Sequence, residues 1–188
     1  MAVFKPTGSD DDCYAYDDTT LDRSSNYLYM GNDAGHIMDT GVRFTNITIP
    51  KESQILTAVV TFRALGSESG TTCRIRIFGY DIQDAPAFDT IGNFLGAGRT
   101  TQYKDWTPAA WTSGTDYDSE DVSNIIQHLV NGIAWVSGND IVLFFEDWSS
   151  TNGAFRGARS YDSSTTLCPR LTITWTPPRP ARANIMMF

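Results

Sequence analysis

The chain has 188 residues, of which 41% are hydrophobic and 19% charged, and it carries a formal net charge of −8. That length fits one domain with an appendage, and that apolar content can fill a core, which excludes a disordered acidic tail. The acidic balance speaks against nucleic acid and against an anionic membrane surface as partners, because both attract basic patches.

From its start the sequence reads Met-Ala-Val-Phe-Lys-Pro-Thr-Gly, without the apolar segment and small-residue cleavage site of an export signal. No apolar run reaches the roughly 20 residues that span a bilayer. Two acidic clusters follow, Asp10-Asp11-Asp12 and Asp17-Asp18, separated by Cys13-Tyr14-Ala15-Tyr16. Hard cations take several carboxylate and carbonyl oxygens. If one turn brings the two clusters together, they are the candidate ligands of a structural calcium ion, the one cofactor expected.

Strand signals dominate next. Short candidates are Tyr27 to Met30 and Thr40 to Phe44, and a long one runs from Ile55 to Leu65. In the long run Leu56, Ala58, Val60, Phe62 and Ala64 share one face, with Thr57, Thr61 and Arg63 on the other, the period-two pattern of a half-buried strand. Gly66-Ser67-Glu68-Ser69-Gly70 supplies turn chemistry before Cys73-Arg74-Ile75-Arg76-Ile77, so the two runs read as neighbouring strands. Residues 89 to 110 form a Gly- and Thr-rich stretch that reads as one irregular strand. Val122, Ile125, Ile126, Leu129, Val130 and Ile133 recur at helical spacing and predict an amphipathic helix, capped by Asp118 or Ser119 and packed as a lid on the sandwich. Further strands are expected over Ile141 to Phe145, Ala154 to Ser160 and Leu171 to Trp175. Helix-length segments between strands are missing, which favours an all-β sandwich over a βαβ fold. The sandwich is expected over residues 1–175. Residues 176–188 form a Pro-rich extended tail with an apolar tip, Ile185, Met186, Met187 and Phe188, expected to dock on another chain or another copy, with its own domain as the alternative.

Motifs of catalysis are absent. There is no G-x-S-x-G elbow, and the Gly92, Gly96, Gly98 stretch lacks the Lys-Ser/Thr of a phosphate loop. Cys13, Cys73 and Cys168 lie far apart with no C-x-x-C, and His36 and His128 stand at no metal-ligand spacing, so the cysteines read as small buried hydrophobes. Paired carboxylates such as Glu146-Asp147 can serve a glycosidase, but exposed acidic loops are the commoner source of such pairs. No enzyme is expected. Trp106, Trp111, Tyr117 and Trp148 lie among Asp, Ser, Thr and Gly residues, the composition of a site that stacks sugar rings; the alternative is that the tryptophans close the ends of the core.

Two stretches carry a resemblance. One runs from Trp111-Thr112-Ser113-Gly114-Thr115-Asp116-Tyr117 through Asp121 to Gln127 and Trp135 to Asp140. The other is Arg159 to Ser163 with Pro169-Arg170-Leu171-Thr172-Ile173. Together with Gly41-Val42-Arg43-Phe44, Ile49-Pro50 and Ile55 to Ala58, the region from about residue 10 to 175 resembles the jelly-roll domains of the DNRLRE and carbohydrate-binding-module type. Such domains occur in bacterial surface proteins and in proteins of tailed bacteriophages. The resemblance implies a jelly-roll β-sandwich. It also implies a virion structural protein made in the host cytoplasm, a capsid decoration (cement) or other surface component that contacts other virion proteins. The alternative is a carbohydrate-binding module of a secreted protein or tail adhesin, with host-surface glycan as its partner.

Overall fold

The computed structural model describes residues 1–70 and 72–179. Strands hold 42% of the residues and helices 10%, in two antiparallel sheets, as the alternating pattern predicts. The strands in chain order are β1 (Ala2–Phe4), β2 (Asp12–Tyr16), β3 (Thr20–Asp22), β4 (Tyr27–Asp33), β5 (His36–Phe44), β6 (Gln54–Arg63), β7 (Ile75–Tyr80), β8 (Arg99–Trp106), β9 (Asp116–Asp118), β10 (Ile141–Asp147), β11 (Ala154–Arg159) and β12 (Arg170–Thr176). Helix α1 is Ile91–Gly96 and α2 is Ser123–Val130. A four-stranded sheet runs β1-β12-β6-β9; the larger sheet runs β11-β4-β5-β10-β7-β8, with β2 joined to β5 and β3 to β2.

The main core lies between the sheets and is filled by Phe44, Val60, Phe62, Ile77, Leu143, Phe145, Leu171 and Ile173. Helix α2 closes it, burying Ile125, Ile126, Leu129 and Val130 against β6, β7 and β8. Its cap differs from the expected one. Asp118 lies in β9 and accepts the Thr61 hydroxyl at 2.6 Å, while the Ser119 hydroxyl accepts the Val60 amide at 3.0 Å. Asp121 satisfies the helix start instead, accepting from Ser123 N at 2.7 Å. The helix ends at Val130, so Ile133, placed on the stripe by its spacing, is 92% exposed.

Two strand expectations are corrected. In β6 the alternation holds from Ala58 to Phe62 but shifts phase at its start. Thr174 pairs with Thr57 and Trp175 with Ile55, so Leu56 is the extra residue of a β-bulge, exposed while Ile55 is buried. The strand after the Gly66–Gly70 turn does not neighbour β6. Strand β7 lies in the opposite sheet, between β10 and β8, because the chain crosses from one sheet to the other at that loop.

Strand β10 is apolar on both faces, and each face has a use. Ile141, Leu143 and Phe145 join the main core, whereas Val142 and Phe144 belong to a second, smaller core with Cys13, Ala15, Phe88, Phe94 and Ala97. The excursion at residues 81–98, which contains α1, therefore covers the outer face of the larger sheet. Part of the segment read as one irregular strand is thus a helical cover, and β8 follows it. Gly41 of β5 makes the close approach feasible: an added Cβ would lie 2.6 Å from Phe88 Cζ and 2.9 Å from Phe94 Cε2. Gly41→Val is expected to overpack this interface and lower stability by about 1–3 kcal/mol, with the loss read by urea unfolding.

Candidate functional site

The five aspartates do not gather. Asp12 to Tyr16 form β2, so an extended strand at about 3.3 Å per residue holds the two clusters apart. Each cluster has structural work. Asp17 and Asp18 take positive φ (49° and 54°) in the turn between β2 and β3, and Asp17 Oδ2 lies 2.6 Å from His36 Nδ1. Asp10 pairs with Arg23 at 2.5 Å. Asp11 accepts the amides of Thr7 and Gly8, each at 2.9 Å, and pairs with Arg43, whose guanidinium also binds Asp140 and the Ala85 carbonyl. Asp12 is buried and accepts Tyr161 N at 2.7 Å. Among the described residues no three His, Cys, Asp or Glu side chains converge on one point. The carboxylates of Asp10, Asp11 and Asp17 instead face Arg23, Arg43 and His36, and Asp12 takes the Tyr161 amide.

Of the two readings of the tryptophans, closing the ends of the core describes Trp106 and Trp111. Trp106 is 5% exposed and Trp111 2%. Their rings pack on Phe62 and on each other, with centroids 6.0 to 6.3 Å apart, so they extend the core where the loop after β8 folds over it. Tyr117 stacks on Trp111 at 5.2 Å. Trp148 alone of the four is exposed, on the other side of the molecule's larger sheet beside β7, and the Arg76 guanidinium lies 3.5 Å over its ring. Arg76 also covers the Tyr103 ring at 4.2 Å and holds Asp105 with two hydrogen bonds. The apolar tip, Ile185 to Phe188, lies outside the described residues.

A different aromatic surface emerges from strand register. Thr20, Tyr16, Met38, Gly31 and Phe155 stand side by side across β3, β2, β5, β4 and β11, each paired with the next. Beside this row, Asp22 pairs with Tyr14 and Tyr14 with Thr40, whose hydroxyl donates to Tyr29 O at 2.7 Å. Tyr29 in turn pairs with Gly157, where an added Cβ would meet the Tyr29 ring at 2.8 Å. The glycine is what lets that ring lie flat across β11. The rings meet edge to face, Tyr14 with Tyr29 at 5.5 Å and Tyr29 with Phe155 at 5.7 Å, while His36 stacks on Tyr16 at 4.9 Å. Two adjoining hollows result, both walled by Tyr14 and Tyr16. One, of about 130 Å³, adds Thr20 and Asp22; the other, of about 190 Å³, adds Tyr29, Asp33, Met38 and Phe155.

Electrostatics on this face are one-sided. Burial and the charge of Asp22 push the Tyr14 phenol above its usual range, and burial with neighbouring Tyr27 and Glu68 does the same for Tyr29. These phenols stay protonated at neutral pH and can donate as well as accept. A larger cavity, about 350 Å³ between the 81–98 cover and the sheet, is lined by Tyr80, Phe88, Phe94 and Phe144. It offers few directional groups, since Asp89 and Asn93 at its rim bond to each other.

No protein-family model matches the chain, and no curated protein matches it significantly.

Proposed function

We propose that the chain is a non-enzymatic structural protein of a bacteriophage virion, a capsid decoration protein or another component of the virion surface. The observation that carries this reading is where the chain leaves the sandwich. Strand β12 ends at Thr176, and Pro177, Pro178 and Arg179 continue exposed and outside either sheet. The sequence beyond them ends its run in Ile185-Met186-Met187-Phe188. Pro177 and Pro178 fix the backbone where the chain leaves the sandwich, which lowers the entropy lost on docking. Each large apolar side chain buried against a partner contributes about 1.5–3 kcal/mol, enough in sum to hold a subunit on a lattice. The frame supports the same use: Arg43, Asp11, Asp140 and Arg156 bond within the fold, as a rigid building block requires. The family resemblance supplies the phage element of the proposal.

Deleting residues 177–188 tests it. The sandwich is expected to keep its melting temperature, while the shortened chain no longer joins the particle in co-sedimentation with virions that incorporate the full chain. Normal incorporation would overturn the assembly role of the segment. A second reading, recognition of carbohydrate, is favoured by the tyrosine face.

A further inference from the structure

We propose that the cavity between the 81–98 cover and the larger sheet receives the apolar tip, Ile185-Met186-Met187-Phe188, of a second copy of this chain. The inference rests on the docking role of the segment after Thr176, and it adds the partner and the seat.

Three observations lead there. The first is shape. Phe88, Phe94 and Phe144 are buried and form an apolar wall, whereas Ala87, Gly92 and Gly96 line the same cavity and are exposed, so it opens to solvent. An added Cβ at Gly96 would meet nothing within 4 Å, which leaves the mouth clear there. The volume, about 350 Å³, falls at the low end of the range of about 300–1,000 Å³ that holds a drug-sized guest, room for a phenyl ring with a methionine beside it. The second is chemistry. Asp89 and Asn93 at the rim bond to each other, so the aromatic wall suits an apolar guest. The tip supplies one: two methionines and a phenylalanine beside Ile185. Methionine is unbranched, adapts to irregular gaps and gains from sulfur contacts at ring edges, and a phenyl ring gains from edge-to-face contacts.

The third is charge. Residues 81–98 carry Asp81, Asp84 and Asp89 and no Lys or Arg, while residues 177–188 carry Arg179 and Arg182 and no Asp or Glu. Asp89 bonds to the Thr90 amide and to Asn93, neutral groups that leave its charge in place. Arg23 approaches from one side, donating to Phe88 O at 3.1 Å, but it is paired with Asp10. Arg99 on the sheet side is paired with Glu146. An acidic cover thus attracts the basic stem that carries the tip and steers it to this mouth.

Position favours a second copy over the same chain. Strand β12 belongs to the four-stranded sheet, and the cavity lies on the outer face of the other sheet. A chain's own tip must cross from one sheet to the far face of the other, whereas a neighbour's tip has no such path to follow. The contact is head-to-tail: each copy offers one tip and one cavity, so copies link into a ring or an open array.

The test is complementation between two full-length variants, read by sedimentation velocity over a range of concentrations. The unaltered chain is expected to gain mass as concentration rises. Gly96→Trp blocks the mouth but keeps the tip, and Phe188→Asp spoils the tip but keeps the cavity. Each alone is expected to associate about tenfold more weakly, and an equimolar mixture to form a dimer, because one intact tip then meets one intact cavity. Phe188→Asp alters no residue of either sheet, so it remains readable if the melting curve shows Gly96→Trp unfolded. The proposal is overturned by an unaltered chain that stays monomeric up to about millimolar concentration, or by a mixture no heavier than its parts. A lowered melting temperature in Phe188→Asp at unchanged mass also overturns it, by placing the tip on its own body. Virions that take up Gly96→Trp, but not the chain lacking residues 177–188, would overturn this seat and leave the assembly role standing.

Discussion

Replacing Arg156 with methionine is expected to cost on the order of 3–5 kcal/mol, a large share of the stability of a domain this size. Arg156 is 2% exposed on β11, yet among the described residues no carboxylate takes its hydrogen bonds. It donates instead to main-chain carbonyls, Ala109 at 2.8 Å, Phe155 at 2.7 Å, Pro108 at 3.0 Å and Gly70 at 3.4 Å. Two of these belong to the segment between β8 and β9 that carries Trp111 into the core. Methionine fills similar space but leaves those carbonyls unpaired, at about 1–3 kcal/mol for each that stays buried. Nearby Glu68 would also lose a cation that helps hold its burial-raised pKa down. Urea unfolding should show the loss, and tryptophan fluorescence should shift to the red as Trp111 gains water. Arg156→Lys is expected to fall between, since an ammonium keeps the charge without the planar fork.

Acidification from pH 8 to pH 5 is expected to stabilise the protein. Burial raises the carboxyl of Asp12 from 3.8 to about 7, opposed by its bond from the Tyr161 amide and assisted by Asp162 and Asp11. Asp39 is likewise raised to about 7 by burial, against its bond from the Asp147 amide and with Glu146, Asp18 and Asp147 nearby. A folded pKa above the unfolded one means that the native state binds more protons between the two values. The stability these groups contribute is fully present below about pH 4 and is lost as pH rises through about 7. A tenfold difference in proton affinity between the folded and unfolded chain corresponds to about 1.4 kcal/mol, so the two aspartates together amount to several kcal/mol across that window. The slope has a lower limit, because Asp17, Asp89 and Asp105 have lowered pKa values and lose their bonds in stronger acid. Melting temperature against pH is the measurement. Asp12→Asn and Asp39→Asn should each flatten the curve and raise the melting temperature at pH 8. A curve that falls on acidification from pH 8 to 5 would contradict the assignment.

Much of the fold is legible in local pattern, and what is not legible is long-range. Alternation over Ala58 to Phe62 and the helical stripe from Val122 to Val130 report burial correctly, because each depends on one element facing one core. The bulge at Leu56 and the placement of β7 in the opposite sheet depend on partners far away in sequence, and no window around them carries that information. The aromatic site eludes a local reading for a related reason. Tryptophans in polar stretches suggest exposed rings, but Trp106 and Trp111 close the core with the backbone around them left in water. The signal that does mark the face is Tyr14-Ala15-Tyr16 and Tyr27-Leu28-Tyr29, two tyrosine pairs at strand spacing. Alternation says that each pair shares a face of its strand. Only the register through Met38 and Gly31 shows that both β2 and β4 turn such a face the same way.

The pairing of β1 with β12 sets an order of events when the chain is made. Ala2, Val3 and Phe4 stand opposite Ile173, Thr172 and Leu171. Strand β12 is also the link between β1 and β6, so the four-stranded sheet has no continuous ladder until residue 176 is available. During synthesis the hairpins of the larger sheet can form as they emerge, but one half of the sandwich waits for the final strand. Until then the apolar inner faces of β6 and β10 lack their cover. Pairings this distant in sequence carry the greatest loop-closure cost and slow folding accordingly. Closure of the smaller sheet is therefore the expected late step of folding, and the interval before it is when the nascent protein is most exposed to aggregation.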